Sequence, residues 1–533
     1  MVKRARYHPG EPAGEDQDPR DSQLDRPGKR QKNADYLSAC SDEAILLVFA
    51  ALSRADVAVC SRVSRRFQTV ANDNLVWKKL FYDSFVRPRL CRRPRLQQIT
   101  QRQWLENSSG CVDWKSRYKL RYNWHKGRCR IKTIGLAGSQ KEDLVFRLAG
   151  RSIFTADRLH GLRALDETGR TLASVPPESL DVDGLGPPTT LHVSEGWSKA
   201  QGHAGVAVMV GFATGAFSVY QYADGTLAHR FTHNGTEDCA VTAVVCEWPF
   251  LATQSPLNTV DVFYFGELDR LGVIRVTSLA SQSVRGPTSL SMRRLPTTPR
   301  IYATLAYAFP DIIEGWNAAV QELELDPTTG NMVSVRSATS VTAEPPYGRV
   351  SSSVFYRTAP ALPSISSVLS SLANIQRRPA LAAGQQGPPL RFRLKQDIPT
   401  SLSYSHPYLL TSHDDNTLMS YMVRSTDSEL SISPGRRLWG HTSGVAHVEV
   451  KQRGTAVSIS KNGAEIRLWD LESAPVNGVA GESVRVDLGP SPASPTEPAS
   501  TGSVGRFFEF DDEKVVVNHR QADDRLIRLY DFT

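Results

Sequence analysis

Metal centres and acid–base sites need histidines, cysteines or carboxylates at fixed spacing, and the 533-residue sequence holds few such patterns. Its twelve histidines are dispersed; His441 and His447 stand six apart. The seven cysteines (Cys40, Cys60, Cys91, Cys111, Cys129, Cys239 and Cys246) form no CxxC pair and are odd in number. That predicts reduced thiols and no zinc. There is no P-loop, no GxSxG and no HExxH. The paired carboxylates Asp414-Asp415 and Asp511-Asp512 fall in turns between apolar stretches, where water solvates them. No catalytic residue, metal or cofactor is expected, so the working chemistry should be binding.

Apolar residues make up 40% and charged residues 22%, as in folded domains, and the length allows several of them. The first thirty residues are polar and charged, with no secretory apolar run. The apolar run Ala44–Leu52 is nine residues long, far short of the roughly 20 that a membrane helix needs. Neither secretion nor membrane passage is expected. Net charge is +8 but uneven. Residues 87–132 carry fourteen Lys and Arg against Glu106 and Asp113, a local net of +12 that leaves −4 for the rest.

Residues 1–35 hold few large apolar side chains and are expected to be disordered. Their Lys29-Arg30-Gln31-Lys32 cluster is compatible with nuclear import, so the expected location is cytoplasm, nucleus or both. Residues 36–85 read as three short helices. Ser41 is an N-cap, with Asp42 and Glu43 in the first turn. Ile45, Val48, Phe49 and Leu52 then recur at helical spacing. Ser53 to Asp56 has the form of a capping box, and the helix after it carries an apolar stripe of Val59, Cys60, Val63 and Phe67. Asn74–Phe81 closes the unit. The first helix is also apolar at Ala44, Leu46 and Leu47, nearly all round, so it needs a second burying partner.

The order Asp42–Leu52, Asp56-Val57, Cys60–Phe67 and Leu75-Val76-Trp77 resembles the F-box. That family runs roughly Leu-Pro-x-Glu-Leu-Leu-x-x-Ile-Phe-x-x-Leu, then Val-Cys/Ser-Arg-x-Trp/Phe, then Leu-Trp. Cys40-Ser41 stands where the family opens with Leu-Pro, and Ala44 replaces its first Leu, removing a rigid turn and some apolar area. The resemblance implies binding of a Skp-type adaptor through a set drawn from Ile45, Leu46, Phe49, Leu52, Val57, Val63 and Trp77. It leaves open which of these touch the adaptor and which face inward.

Residues 86–129 read as a basic helical linker. Trp114, Tyr118 and Tyr122 recur every four residues, with Lys115, Arg117, Lys119 and Arg121 on other faces. This spacing predicts an aromatic stripe packed on the next domain. Nucleic-acid binding by the basic 87–132 segment is the rival reading, and stripe spacing disfavours it.

From 130 to 533 short strands alternate with turns. A two-strand phrase occurs seven times: at 151–166, 207–220, 249–263, 301–323, 408–421, 456–470 and 514–531. Spacings mostly above 40 residues suit four-stranded blades. The sixth phrase, with Leu438-Trp-Gly-His441 before it and Arg467-Leu-Trp469-Asp470 at its end, resembles a WD repeat. The resemblance implies a buried chain through His441, Ser458 and Trp469; the turn Asp of that family is absent at Lys461-Asn462-Gly463. The final strand, Leu526–Asp531, lacks an outer neighbour, and Arg130–Gly135 is expected to supply one and hide the edge. Pro- and Ser-rich inserts near 337–395 and 473–503 are expected to be disordered.

The fold class expected is thus α plus all-β and multidomain: a three-helix F-box, a basic helical linker, and a seven-bladed β-propeller with degenerate WD repeats. The resemblance implies a non-catalytic substrate-recognition subunit of a Skp-cullin-F-box ubiquitin ligase; the alternative is a ligase-independent scaffold formed with the adaptor through the same F-box. A cullin and a RING subunit would join through the adaptor, and the propeller would hold a substrate protein. Arginines on its rim would fit a phosphorylated motif; Arg163 and Arg467, on strands, are candidates.

Overall fold

The computed structural model describes residues 36–87, 112–135, 144–196, 205–235, 239–266, 273–281, 284, 286–295, 299–311, 315–340, 356–357, 398–451, 454–472, 483–487, 504–521 and 524–533. The expected disorder of 1–35 lies outside them, as does most of both inserts. The chain divides into two compact units, residues 1–79 and 80–533.

The first unit breaks into more helices than the three expected, because its caps are closely spaced. They are α1 (Tyr36–Ala39), α2 (Asp42–Ala51), α3 (Arg54–Cys60), α4 (Arg65–Ala71) and α5 (Asn74–Phe81), the last running on into the second unit. Ser41, Ser53 and Ser64 each accept a hydrogen bond from a backbone N–H three residues on. These satisfy amides that a helix start leaves unpaired. Ile45, Phe49, Val57, Val70, Ala71, Val76 and Trp77 are buried. Phe49 meets Phe67 edge-on at 5.4 Å, and Trp77 Nε1 donates to the Ala71 carbonyl at 2.8 Å.

The second unit is a seven-bladed propeller with a helical lead-in. Blades 1 to 6 run through residues 145–175, 188–233, 243–280, 288–339, 401–439 and 445–485, built of antiparallel neighbours in chain order except that in blade 5 Leu430–Ile432 and Arg436–Trp439 both pair with Thr417–Ser425. Blade 7 takes 504–531 and, at its outer side, Arg130–Gly135. That strand pairs antiparallel with the last one from Arg130↔Asp531 to Gly135↔Leu526, the ring closure expected from the sequence. The first strand of each blade meets the first strands of its two neighbours around the axis. All seven two-strand phrases fall on the second and third strands of the seven blades.

A radial sheet is covered on both faces, so its strands are apolar on both. In Val206–Phe212, Val208, Val210 and Phe212 enter the seam with blade 1, and Ala207 and Met209 the seam with blade 3. Seven apolar clusters fill the seven seams.

Two observations differ from the expected inserts. Ser483–Arg485, inside the Pro-rich 473–503 stretch, pairs with Arg467–Trp469 as the fourth strand of blade 6. Residues 337–339 belong to the strand Met332–Thr339, and Tyr356–Arg357 pair with Leu279 and Ala280 at the outer edge of blade 3. Composition describes a segment's average and misses two- or three-residue pairings imposed by an open edge.

Candidate functional site

The helical unit has one apolar surface too many. In α2, Ile45 and Phe49 point into the unit's core, and Leu46 and Leu52 are half-buried. Ala44, Leu47, Val48 and Ala51 recur at i, i+3, i+4 and i+7, and all four are exposed, Leu47 by 75%. Val59, Val63 and Leu75 are exposed as well. Within the site set read from the sequence, Ile45, Phe49, Val57 and Trp77 therefore build the unit, and Val63 is the exposed member. Leu47, Val48, Val59 and Leu75 were not singled out there. The signal for Leu47 was the all-round apolarity of α2; Val48 was read on one stripe with Ile45 and Phe49 but lies on the exposed face, and Val59 was placed on a stripe that the short α3 does not sustain.

Both ends of α2 are held by cations from later helices. At its start, Arg66 of α4 donates to the Cys40 carbonyl and, at 2.8 Å, to the Asp42 carboxylate. At its end, Lys79 donates to the Ala50 carbonyl at 3.1 Å, where the helix dipole favours positive charge.

In the propeller unit, α6 (Trp114–Lys126) uses its aromatics for packing. Tyr118 lies against Phe85 at 5.2 Å, and Trp124 stacks on Phe532 at 4.4 Å while its Nε1 donates to the Asp512 carbonyl. Arg121 pairs with Asp470 at 3.2 Å. With its rings so engaged, the helix offers little aromatic surface for stacking bases.

The WD-like chain is present in blade 6, and it is complete. Trp469 Nε1 donates to Ser458 Oγ at 2.7 Å, and Ser458 Oγ lies 2.6 Å from His441 Nε2. His441 Nδ1 is 3.3 Å from Glu465 Oε2. The expected gap is filled from the end of the same connection: Glu465, just before the strand Ile466–Asp470, takes the carboxylate's place and also accepts from the Thr442 amide and hydroxyl and from Arg467 Nε. Burial pulls His441 down to about 4, against the opposing pull of Glu465. Burial would raise the Glu465 carboxyl, but the Thr442 amide and Arg467 bring it down to about 2. The network therefore reads Trp469 N–H to Ser458, Ser458 O–H to His441 Nε2, and His441 Nδ1–H to the Glu465 carboxylate.

The two candidate phosphate-reading arginines are engaged internally. Arg163 pairs with Asp157 at 2.9 Å, and Arg467 with Glu465 at 2.7 Å and Ser483 at 2.8 Å. Among the described residues no group of three His, Cys, Asp or Glu is placed to hold a metal ion, and no helix is long and apolar enough to cross a membrane.

Comparison with known proteins matches residues 129–533 to the family "F-box protein pof12 beta-propeller" and residues 42–83 to the F-box-like family. The chain belongs to the family of pof12-type F-box propeller proteins. The F-box protein pof12 of Schizosaccharomyces pombe is 47% identical over 64 residues, which is 12% of this chain and 14% of that relative. Two solved propellers resemble this F-box propeller protein over 75% of its length: the computationally designed Ika8 (98% of it covered, TM-score 0.33, 14% identity) and the WD40 β-propeller domain of Doa1 (95% covered, 0.36, 10%). At that similarity neither likeness says anything about what this chain binds.

Proposed function

We propose that this F-box propeller protein is the substrate-recognition subunit of a Skp-cullin-F-box ubiquitin ligase. F-box domains bind Skp-type adaptors, and the observation that supports the assignment is the second apolar face of the helical unit. Leu47, Val48, Val59, Val63 and Leu75 are exposed while Ile45, Phe49, Val57 and Trp77 form the interior. A set of large exposed apolar side chains on so small a unit is what a protein partner covers. The chain's contribution is positional: it brings substrate lysines to the activated ubiquitin thioester and makes no bond itself. The propeller holds the substrate, and the cullin and RING subunits join through the adaptor.

The test is binding of the purified full chain to a purified Skp-type adaptor, alongside a Leu47→Asp/Val48→Asp variant. Both positions are exposed, so the variant should keep its melting temperature and lose about 100-fold or more in affinity, as hot-spot truncations do. Absence of wild-type binding at micromolar concentration overturns the reading. Co-purification of a cullin with the wild type, lost in the variant, places the pair within a ligase.

A further inference from the structure

The start of α2 carries a device that composition does not reveal. Ser41, the cap residue, has φ −68° and ψ 159°, close to the angle a proline ring would impose. Nothing in a serine fixes that angle, and its capping bond to the Ala44 amide is long at 3.4 Å. The Ser41 carbonyl accepts from the Ile45 amide at 3.1 Å, and a further hold comes from outside. The Arg66 guanidinium, twenty-four residues on, bonds the carbonyl before the cap, on Cys40, and the carboxylate after it, on Asp42. One planar fork thus straddles the cap and sets the direction in which the helix leaves it. That helix carries the exposed Ala44, Leu47, Val48 and Ala51.

We propose that Arg66 is a positioning residue for adaptor binding: by clamping Cys40 and Asp42 around Ser41 it does the work of a rigid proline turn and pre-organises the outer face of α2. This rests on the adaptor reading above. Arg66 need not touch the adaptor. Its effect is to remove an ordering cost that the partner would otherwise bear on binding.

The experiment compares the full-length wild type with Arg66→Ala, Ser41→Pro and the double variant. It records the dissociation constant for a purified Skp-type adaptor and, in the adaptor-free protein, hydrogen exchange of the 42–45 amides. Arg66→Ala should weaken binding roughly tenfold, the scale of a lost charged hydrogen bond, and speed that exchange. Ser41→Pro should restore both in the double variant, because its ring supplies the angle from within. Unchanged affinity in Arg66→Ala overturns the proposal. So does a loss of affinity that Ser41→Pro does not recover, which would make Arg66 an ordinary stabilising residue or a direct contact. A wild type that fails to bind the adaptor refutes the adaptor reading instead, and the exchange data still report whether Arg66 orders the turn.

Discussion

Replacing Ser458 by alanine should loosen blade 6 out of proportion to the one oxygen removed. Ser458 is fully buried, and its hydroxyl stands between two ring nitrogens, Trp469 Nε1 at 2.7 Å and His441 Nε2 at 2.6 Å. Alanine fits the space, so no cavity term enters. The loss is that of a buried donor and a buried acceptor left without partners, each worth about 1–3 kcal/mol. Both sit in a seam that water does not reach, which puts the sum at about 3 kcal/mol. Native-state hydrogen exchange of the Thr455–Ser460 and Ile466–Asp470 strands reads this directly as a fall in their opening free energy, without requiring the whole multidomain chain to unfold in one step. A cycle with Trp469→Phe isolates the pair: once the indole N–H is gone, Ser458→Ala should cost at least about 1 kcal/mol less. A cost below about 1 kcal/mol for Ser458→Ala, or strict additivity with Trp469→Phe, would refute the reading of these residues as one connected chain.

Trp124→Ala removes the ring stacked on Phe532 and the bond to Asp512, and should cost about 3–5 kcal/mol and expose α6 to limited proteolysis. Acid should weaken the propeller in two stages. His441 at about 4, and His192 and His406 at about 3, are held down by burial and by neighbouring cations. Their unfolded forms take up protons first, so the stability they confer is complete above pH 6.5 and lost as pH falls toward 4 and 3; for His441 alone this is about 3 kcal/mol. Glu465, at about 2, adds a loss that begins below its ordinary value of 4.5. Melting curves from pH 7.5 to 4 should fall monotonically, and a His441→Gln variant should show a shallower slope between pH 6.5 and 4.

The sequence made the architecture legible because the signals it relies on are local. Two consecutive buried strands with a turn between them recur once per blade, since each blade must bury both faces of its sheet. The ring closure was legible for a related reason: Leu526–Asp531 needed an outer neighbour, and Arg130–Gly135 was the unassigned strand. What was hidden is set by tertiary geometry. Glu465 lies two residues past Lys461-Asn462-Gly463, where a carboxylate was looked for, and only the folded blade brings that end of the connection alongside His441. Which apolar residues of α2 face outward depends on where α4 and α5 pack, and helical spacing alone allows both faces to be core. Arg66 reaches back across twenty-four residues, beyond any window in which a cap is read.

The seam between blades 4 and 5 is held by charge as well as by hydrocarbon. Residues 340–400 separate Thr339 from Ser401 there, whereas residues 440–444 suffice between Trp439 and Val445. At this seam the apolar cluster is joined by an ion network. Glu322, with a fully buried side chain, pairs with Arg293 at 3.0 Å and Arg336 at 3.1 Å, and accepts from Ser425 of blade 5 at 2.7 Å. Arg336 also donates across to the Thr426 carbonyl, and both guanidiniums lie over the Tyr302 ring. Every strand of blade 4 thus contributes one member, and two of them cross to blade 5. Glu322→Gln keeps the volume but leaves two buried guanidiniums facing a neutral amide, which should cost about 3–5 kcal/mol. Because the group is shielded from solvent, 0.5 M salt should leave the wild-type contribution almost intact. Faster exchange confined to the strands of blades 4 and 5 in the variant would locate the network's work at this seam; a cost below about 1 kcal/mol would show that hydrocarbon packing holds the seam unaided.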